Sequence, residues 1–178
     1  IKKIYGENET KLVDVEAKIY ELAGQELNVN SPKQLNEVLF EKLGYPILLE
    51  TATKKPSTSE LALKLLIKKL GNKAPIVPLI LEFRGLKKMN TTYLKPMLEK
   101  VDSNDRIHPS FLLHGTVTGR VSSKGPNIQN IPRDPRIKGM FIPDKGFKFV
   151  EIDYSQAELR VMAFYSKDKL MTEQYVKE

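Results

Sequence analysis

Apolar residues recur every three or four positions through most of the first hundred residues, and the intervals between these runs are polar. In "KLVDVEAKIYELAGQEL", Leu12, Val15, Ile19 and Leu22 fall at helical spacing, and Gly24 supplies a stop. In "NSPKQLNEVLFEKLG", Ser31 is the candidate N-cap, with Pro32 at the first helical position. Leu35, Val38, Leu39 and Leu43 make the apolar stripe there, and Gly44 ends it. The polar "ETATKKPSTS" reads as an exposed loop. Ser57 or Ser59 then caps a helix through Leu70, with Leu61, Leu65, Leu66 and Lys69 near one side. A longer pattern, Ile76, Leu79, Ile80, Phe83 and Leu86, continues to Tyr93 and Met97. Pro78 falls early enough for a first turn, whereas Pro96 bends or ends the helix.

The texture changes from Asp102 onward. "DSNDRIHPS" is turn-rich, and "FLLHGTVTGRVSS" and "FKFVEID" favour β-branched and aromatic residues. "KGPNIQNIPRDP" holds too many prolines for a helix. The period returns to helical from Ser155. The pattern predicts an α+β fold: a mostly helical region over residues 1–104, then a partial antiparallel sheet and a C-terminal helix over 105–178.

A chain of 178 residues suits one medium domain or two small ones, and at 40% apolar it can bury a core. Its 29% charged residues fit a soluble globular protein. No apolar run approaches the roughly 20 residues of a membrane helix. Without cysteine, disulfides, thiolate metal sites and thiol catalysis are excluded. The chain starts at Ile1 and stops within the helical-looking "MTEQYVKE", so it is expected to be a piece of something longer. A net charge of +7 favours a polyanionic partner, nucleic acid above all, although many proteins are basic only for solubility.

Three segments carry candidate chemistry. In "FKFVEIDYSQAELR", Phe147, Phe149, Glu151 and Asp153 share one strand face, and Ser155 precedes Glu158 at capping-box spacing. Asp153 would then sit at a strand end ahead of a helix, exposed at a sheet rim where a metal ion can reach it; the plainer alternative is a helix cap. In "TGRVSSKGPNIQNIP", two glycines and two prolines fix the backbone while Arg120, Asn127, Gln129 and Asn130 offer donors and acceptors. Such groups suit the minor-groove edge of a duplex, where acceptors occur at every base pair. They also suit a polar loop that satisfies its own turns. In "FRGLKKMNTTYLK", Arg84, Lys87, Lys88, Thr92 and Lys95 line a helix with Tyr93. They would track a phosphate backbone, or simply form a solvated face.

"DYSQAELR" resembles motif A of family A DNA polymerases, usually written DYSQ-x-E-x-R. "TGRVSS" and "PNIQNIP" are similar to two further elements of that family, in the same order and spacing ahead of motif A. "SPKQLNEVLFEKLG" resembles the helix that opens the thumb, and Arg84 to Tyr93 the long thumb helix. The resemblance implies that Asp153 holds two catalytic Mg²⁺ ions, with the backbone carbonyl of Tyr154 as a further ligand. It implies that Glu158 lies near the sugar of the incoming dNTP and helps exclude a 2′-hydroxyl, with Gln156 and Arg160 in the same motif. Arg120, Asn127 and Gln129, with Asn130 beside them, match positions contacting primer–template DNA. Lys88, Thr92 and Tyr93 match thumb positions near the duplex backbone. The implied reaction is attack of a primer 3′-hydroxyl on the α-phosphate of a dNTP, with pyrophosphate released, in the cytoplasm of a bacterial or phage-infected cell and without a membrane partner.

The connection "RDPRIKG" is shorter than in typical bacterial members, and the lead-in "FLLHGTVTGR" also differs; both look phage-like. An arginine that the family carries just beyond "NIP" matches Arg133 or Arg136. The fingers helix and the His-Asp-Glu motif with the second metal-binding aspartate have no counterpart in the sequence. The chain alone is therefore expected not to polymerise DNA. The remainder of the polymerase would be supplied in cis or in trans, and an open sheet edge invites self-association. A non-catalytic DNA-binding module is the alternative from another class, and there duplex binding would survive Asp153→Ala with no activity to lose. A metal-dependent hydrolase would need clustered ligands beyond His108 and His114, which read as structural.

Overall fold

A computed structural model describes residues 1–132 and 134–175. Their contacts form two compact units, Ile1–Met140 and Phe141–Glu178.

The first unit is built on helices whose buried stripes follow the sequence pattern. α1 (Lys2–Ala23) begins nine residues before the strongly periodic stretch that opens at Lys11 and ends at Gly24, whose φ of 65° is the left-handed conformation that glycine adopts without steric cost. α2 (Pro32–Asn36) is capped by Ser31, which accepts from Gln34 N–H, and runs on as a π-helical turn (Glu37–Lys42). α3 (Glu60–Leu70) is capped by Ser59, which accepts from Ala62 N–H at 3.3 Å. The expected stripe of α3 is corrected. Leu61 faces solvent at 60% exposure, while Ala62, Leu63 and Leu66 are buried, because α3 packs on α4 through the face that carries Leu63 and Leu66.

α4 (Ile76–Lys88) packs against α1 and α3 and buries Ile76, Val77, Ile80 and Phe83. It continues as a second π-helical turn (Met89–Leu94) and α5 (Lys95–Leu98). Pro96 therefore does not end the helix. The helix passes through it by closing the preceding turn with an i→i+5 bond, from Lys95 N–H to the Asn90 carbonyl. The core of Ile19, Val29, Leu35, Leu39, Leu63, Leu66 and Ile80 sits among α1, α2, α3 and α4.

Beyond α5, β1 (Ser110–Leu112) pairs antiparallel with β2 (Ser122–Lys124), Phe111 opposite Ser123. The residues between them form a loop, so "FLLHGTVTGRVSS" yields two short strands and an ordered connection. Gly115 is the point of closest approach: a Cβ there would lie 2.1 Å from Ser122 Oγ. α6 (Pro135–Lys138) is a single turn capped by Asp134.

In the second unit, α7 (Ala157–Ser166) and α8 (Lys169–Tyr175) pack together. They replace the one long helix expected from Ser155, because Lys167 turns left-handed at φ 54° and Asp168 restarts the ladder by accepting from Met171 N–H. The strand expected over 147–153 is not formed. These residues have no ladder partner among the described residues, and a strand without a neighbour leaves its N–H and C=O groups to water. Both predicted faces are accordingly exposed, Phe147 and Phe149 as well as Val150 and Ile152. Helices with one small antiparallel sheet remain an α+β architecture.

Candidate nucleic-acid interface and acidic turn

The cationic helix end comes first. Lys88 is exposed on the last turn of α4, Thr92 is exposed in the following π turn, and Tyr93 beside it is half-buried. The Glu60 carboxyl on α3 is held below the usual carboxylate range, chiefly by Lys64 at 2.6 Å and less by Lys88. Arg84 does not join this face. Its guanidinium donates to the Thr58 carbonyl at 2.5 Å and twice to the Val29 carbonyl at 3.4 Å. Burial lowers its pKa from the ordinary value. Arg84 thus ties two loops to α4, and the expectation that it lines a phosphate track is corrected.

The second cluster is the loop around β2. Arg120, Asn127, Gln129 and Asn130 are all exposed. Thr116 Oγ1 donates to the Arg120 carbonyl at 2.7 Å, and Gly119 turns left-handed at φ 74°. Ser123 is the buried centre. Its Oγ donates to Asn127 Oδ1 at 3.0 Å and accepts from the N–H groups of Ile128 and Gln129 at 3.1 and 3.3 Å. Gln129 Nε2 donates to the Val121 carbonyl at 2.9 Å. The loop therefore uses part of its amide chemistry on its own turns while keeping those side chains at the surface. In the sequence alone Ser123 is only one more hydroxyl; its spacing of four from Asn127 is the available sign of its organising role.

Arg136 is held by Asp134, which accepts from its backbone N–H at 2.9 Å and from its guanidinium at 2.7 and 3.2 Å. The Asp134 carboxyl is lowered by this side-chain bond first, and the Arg136 guanidinium is raised in turn. Arg133 lies outside the described residues.

In the second unit, Asp153 and Tyr154 are exposed in the extended segment that leads into α7. The Ser155–Glu158 capping box is not formed. α7 starts at Ala157 with Gln156 as its N-cap, left-handed at φ 54°, so Ser155 stands one residue too early. Glu158 is exposed in the first turn of α7. Arg160 organises the turn instead: its Nε donates to the Ser155 carbonyl at 2.8 Å and its Nη1 to the Tyr175 carbonyl on α8.

The donor set at this turn fits Mg²⁺ in kind. A carboxylate and a carbonyl are hard oxygen ligands, and Mg²⁺ is typically held by one or two carboxylates with waters and substrate phosphates completing its shell. Among the described residues no three acidic or histidine side chains gather to hold a metal alone, so Asp153 and Tyr154 make one side of such a site. No helix among the described residues is long and apolar enough to cross a membrane.

The cationic helix end and the polar surface loop belong to the first unit, and the exposed acidic turn belongs to the second. The family model described as DNA polymerase family A matches residues 1–178, and the chain belongs to that family. It is 44% identical over 181 residues to DNA polymerase I of Helicobacter pylori, covering 99% of this chain and 19% of that protein. With DNA polymerase I of Caldicellulosiruptor bescii it shares 40% identity over 168 residues, 92% of this chain and 19% of that one. The chain thus spans about a fifth of the length of these relatives. The polymerase domain of Pol1 from M. smegmatis, solved with DNA primer-template and dNTP, superposes with a TM-score of 0.80 at 35% identity. That match covers 94% of this chain and 30% of the other.

Proposed function

We propose that this chain is the thumb and the first part of the palm of a DNA-directed DNA polymerase, with residues 1–104 as the thumb-like region and 105–178 as the partial palm. What carries the reading is the order of its elements: thumb helices, "TGRVSS", "PNIQNIP" and "DYSQAELR" follow one another in a chain that belongs to the family. The M. smegmatis neighbour, bound to primer-template and dNTP, supports DNA and dNTP as the ligands.

Lys88, Thr92 and Tyr93 bind the duplex backbone, and each phosphate neutralised by a lysine adds about −0.9 to the log–log salt slope. Arg120, Asn127, Gln129 and Asn130 contact the primer–template near the primer end. The Ser123 bonds keep this loop in one conformation, so little ordering is lost on binding. Asp153 and the Tyr154 carbonyl supply one side of the metal site. Glu158, with Gln156 in the same motif, faces the incoming nucleotide and rejects a 2′-hydroxyl. Two Mg²⁺ ions, when bound, stabilise the attacking and leaving oxygens of the transfer. The second carboxylate and the fingers come from the remainder of the polymerase, in cis or in trans. In isolation the unpaired, exposed apolar segment 147–153 favours self-association, and the working compartment is the cytoplasm.

Primer extension tests the reading. The 178-residue chain alone is expected to bind primer–template and not extend it, while a polypeptide joining it to fingers and the second palm carboxylate extends it. Extension by the chain alone, or failure of the joined polypeptide to bind primer–template, contradicts it.

A further inference from the structure

Two buried asparagines meet across the helix pair of the first unit. Asn8 on α1 and Asn90 in the π turn stand 82 positions apart and are 3% and 1% exposed. Asn8 Nδ2 donates to Asn90 Oδ1 at 2.9 Å. Asn90 Nδ2 donates to Glu9 Oε1 at 2.6 Å and to the Tyr5 carbonyl at 3.3 Å. One side chain therefore spends its acceptor and its donors on α1. The backbone of the same residue does something different: the Asn90 carbonyl accepts from Lys95 N–H and closes the π turn, just before Pro96, which has no N–H to give.

An apolar residue would fill this space without burying an amide. A buried polar pair adds little to stability that packing could not, but it penalises every alternative register, since a slip of α1 or a return of the turn to i→i+4 bonding would leave these amides unpaired in the core. The turn so fixed is the one that carries the duplex-facing residues. Lys88 lies just ahead of it, and Thr92 and Tyr93 lie within it. A π turn takes one extra residue per hydrogen-bonded ring, so it rotates every later side chain about the axis relative to an α-helix.

We propose that Asn90, held by Asn8, Glu9 and Tyr5, is a positioning residue for the duplex grip: it fixes the π turn that presents Thr92 and Tyr93 beside Lys88. Burial keeps both asparagines from touching DNA themselves. The inference rests on the duplex-binding reading of Lys88, Thr92 and Tyr93.

The test is binding of the 178-residue chain to a labelled primer–template by fluorescence anisotropy across a salt series, with melting temperatures in parallel. Replacing the amide pair, N8L with N90L, fills the space with apolar groups but takes the Asn90 donor from the Glu9 carboxylate, and is expected to lower the melting temperature modestly while the chain stays folded. Binding is expected to weaken several-fold with the salt slope unchanged, because Thr92 and Tyr93 carry no charge and Lys88 lies ahead of the turn. Asn8→Ala, which removes one clasp at a buried residue of α1, moves affinity in the same direction by less and decides the matter if the double variant does not fold. Unchanged affinity in these variants, while Lys88→Ala still weakens binding and flattens the salt slope, overturns the positioning role and leaves the duplex-binding reading standing. No binding by the wild-type chain removes that reading and this inference with it.

Discussion

Ser123 shows how much a single hydroxyl can decide. It is 6% exposed and serves one donor and two acceptor contacts, so Ser123→Ala strands the Ile128 N–H and releases Asn127, while the Gln129 N–H keeps its second acceptor, Asn127 Oδ1. The expected cost is about 1–3 kcal/mol, read as a lower chemical-denaturation midpoint. Asp102 makes a second residue-scale case. Its carboxylate accepts from His108 Nε2 at 2.9 Å and from the N–H groups of Asn104 and Arg106, which hold its pKa down to about 2. Since the folded value lies below the unfolded one, the contribution is fully present above about pH 4 and lost as pH falls through about 2. The amide chemical shifts of Asn104 and Arg106, followed by NMR, should titrate with a midpoint near that value. Asp102→Asn should abolish the titration.

At the scale of elements, the helices of the first unit were largely legible because their signals are local. Ser31 with Pro32, Ser59 and Gly24 each act within a turn of their own position. What was not legible depends on partners far along the chain. The stripe of α3 shifted by a residue, the helix ran through Pro96 on a π turn, and Arg84 turned inward to carbonyls 55 and 26 positions away. Arg84→Met keeps the stem and removes the guanidinium bonds. It should destabilise the chain by about 1.5–3 kcal/mol in thermal melts without changing the salt slope of duplex binding, whereas Lys88→Ala should change the slope and not the stability. The candidate site was legible where motifs are contiguous, and illegible in the bonds that hold them: the Ser123 hub, the Arg160 clasp and the failed capping box at Ser155.

For the whole molecule, what the chain lacks matters as much as what it holds. The segment over 147–153 alternates like a strand and finds no neighbour among the described residues, so its apolar side chains stay exposed. Asp153 stands at the end of that segment, and in the proposed reading the remainder of the polymerase completes its surroundings. The exposed acidic turn and the basic helix end have separate roles in the proposed reaction. The helix end grips a polyanion, and the turn holds the metal that acts on it. Their dependence on Asp153 should therefore differ. The most direct measurement is single-turnover nucleotide incorporation by the completed polymerase with Asp153→Ala, with primer–template affinity determined on the same samples. Incorporation should fall by orders of magnitude while affinity stays within about twofold, because a lost metal ligand removes transition-state stabilisation and no phosphate contact. Incorporation that survives the substitution would contradict the assignment of Asp153 to the metal site and, with it, the polymerase reading of the turn.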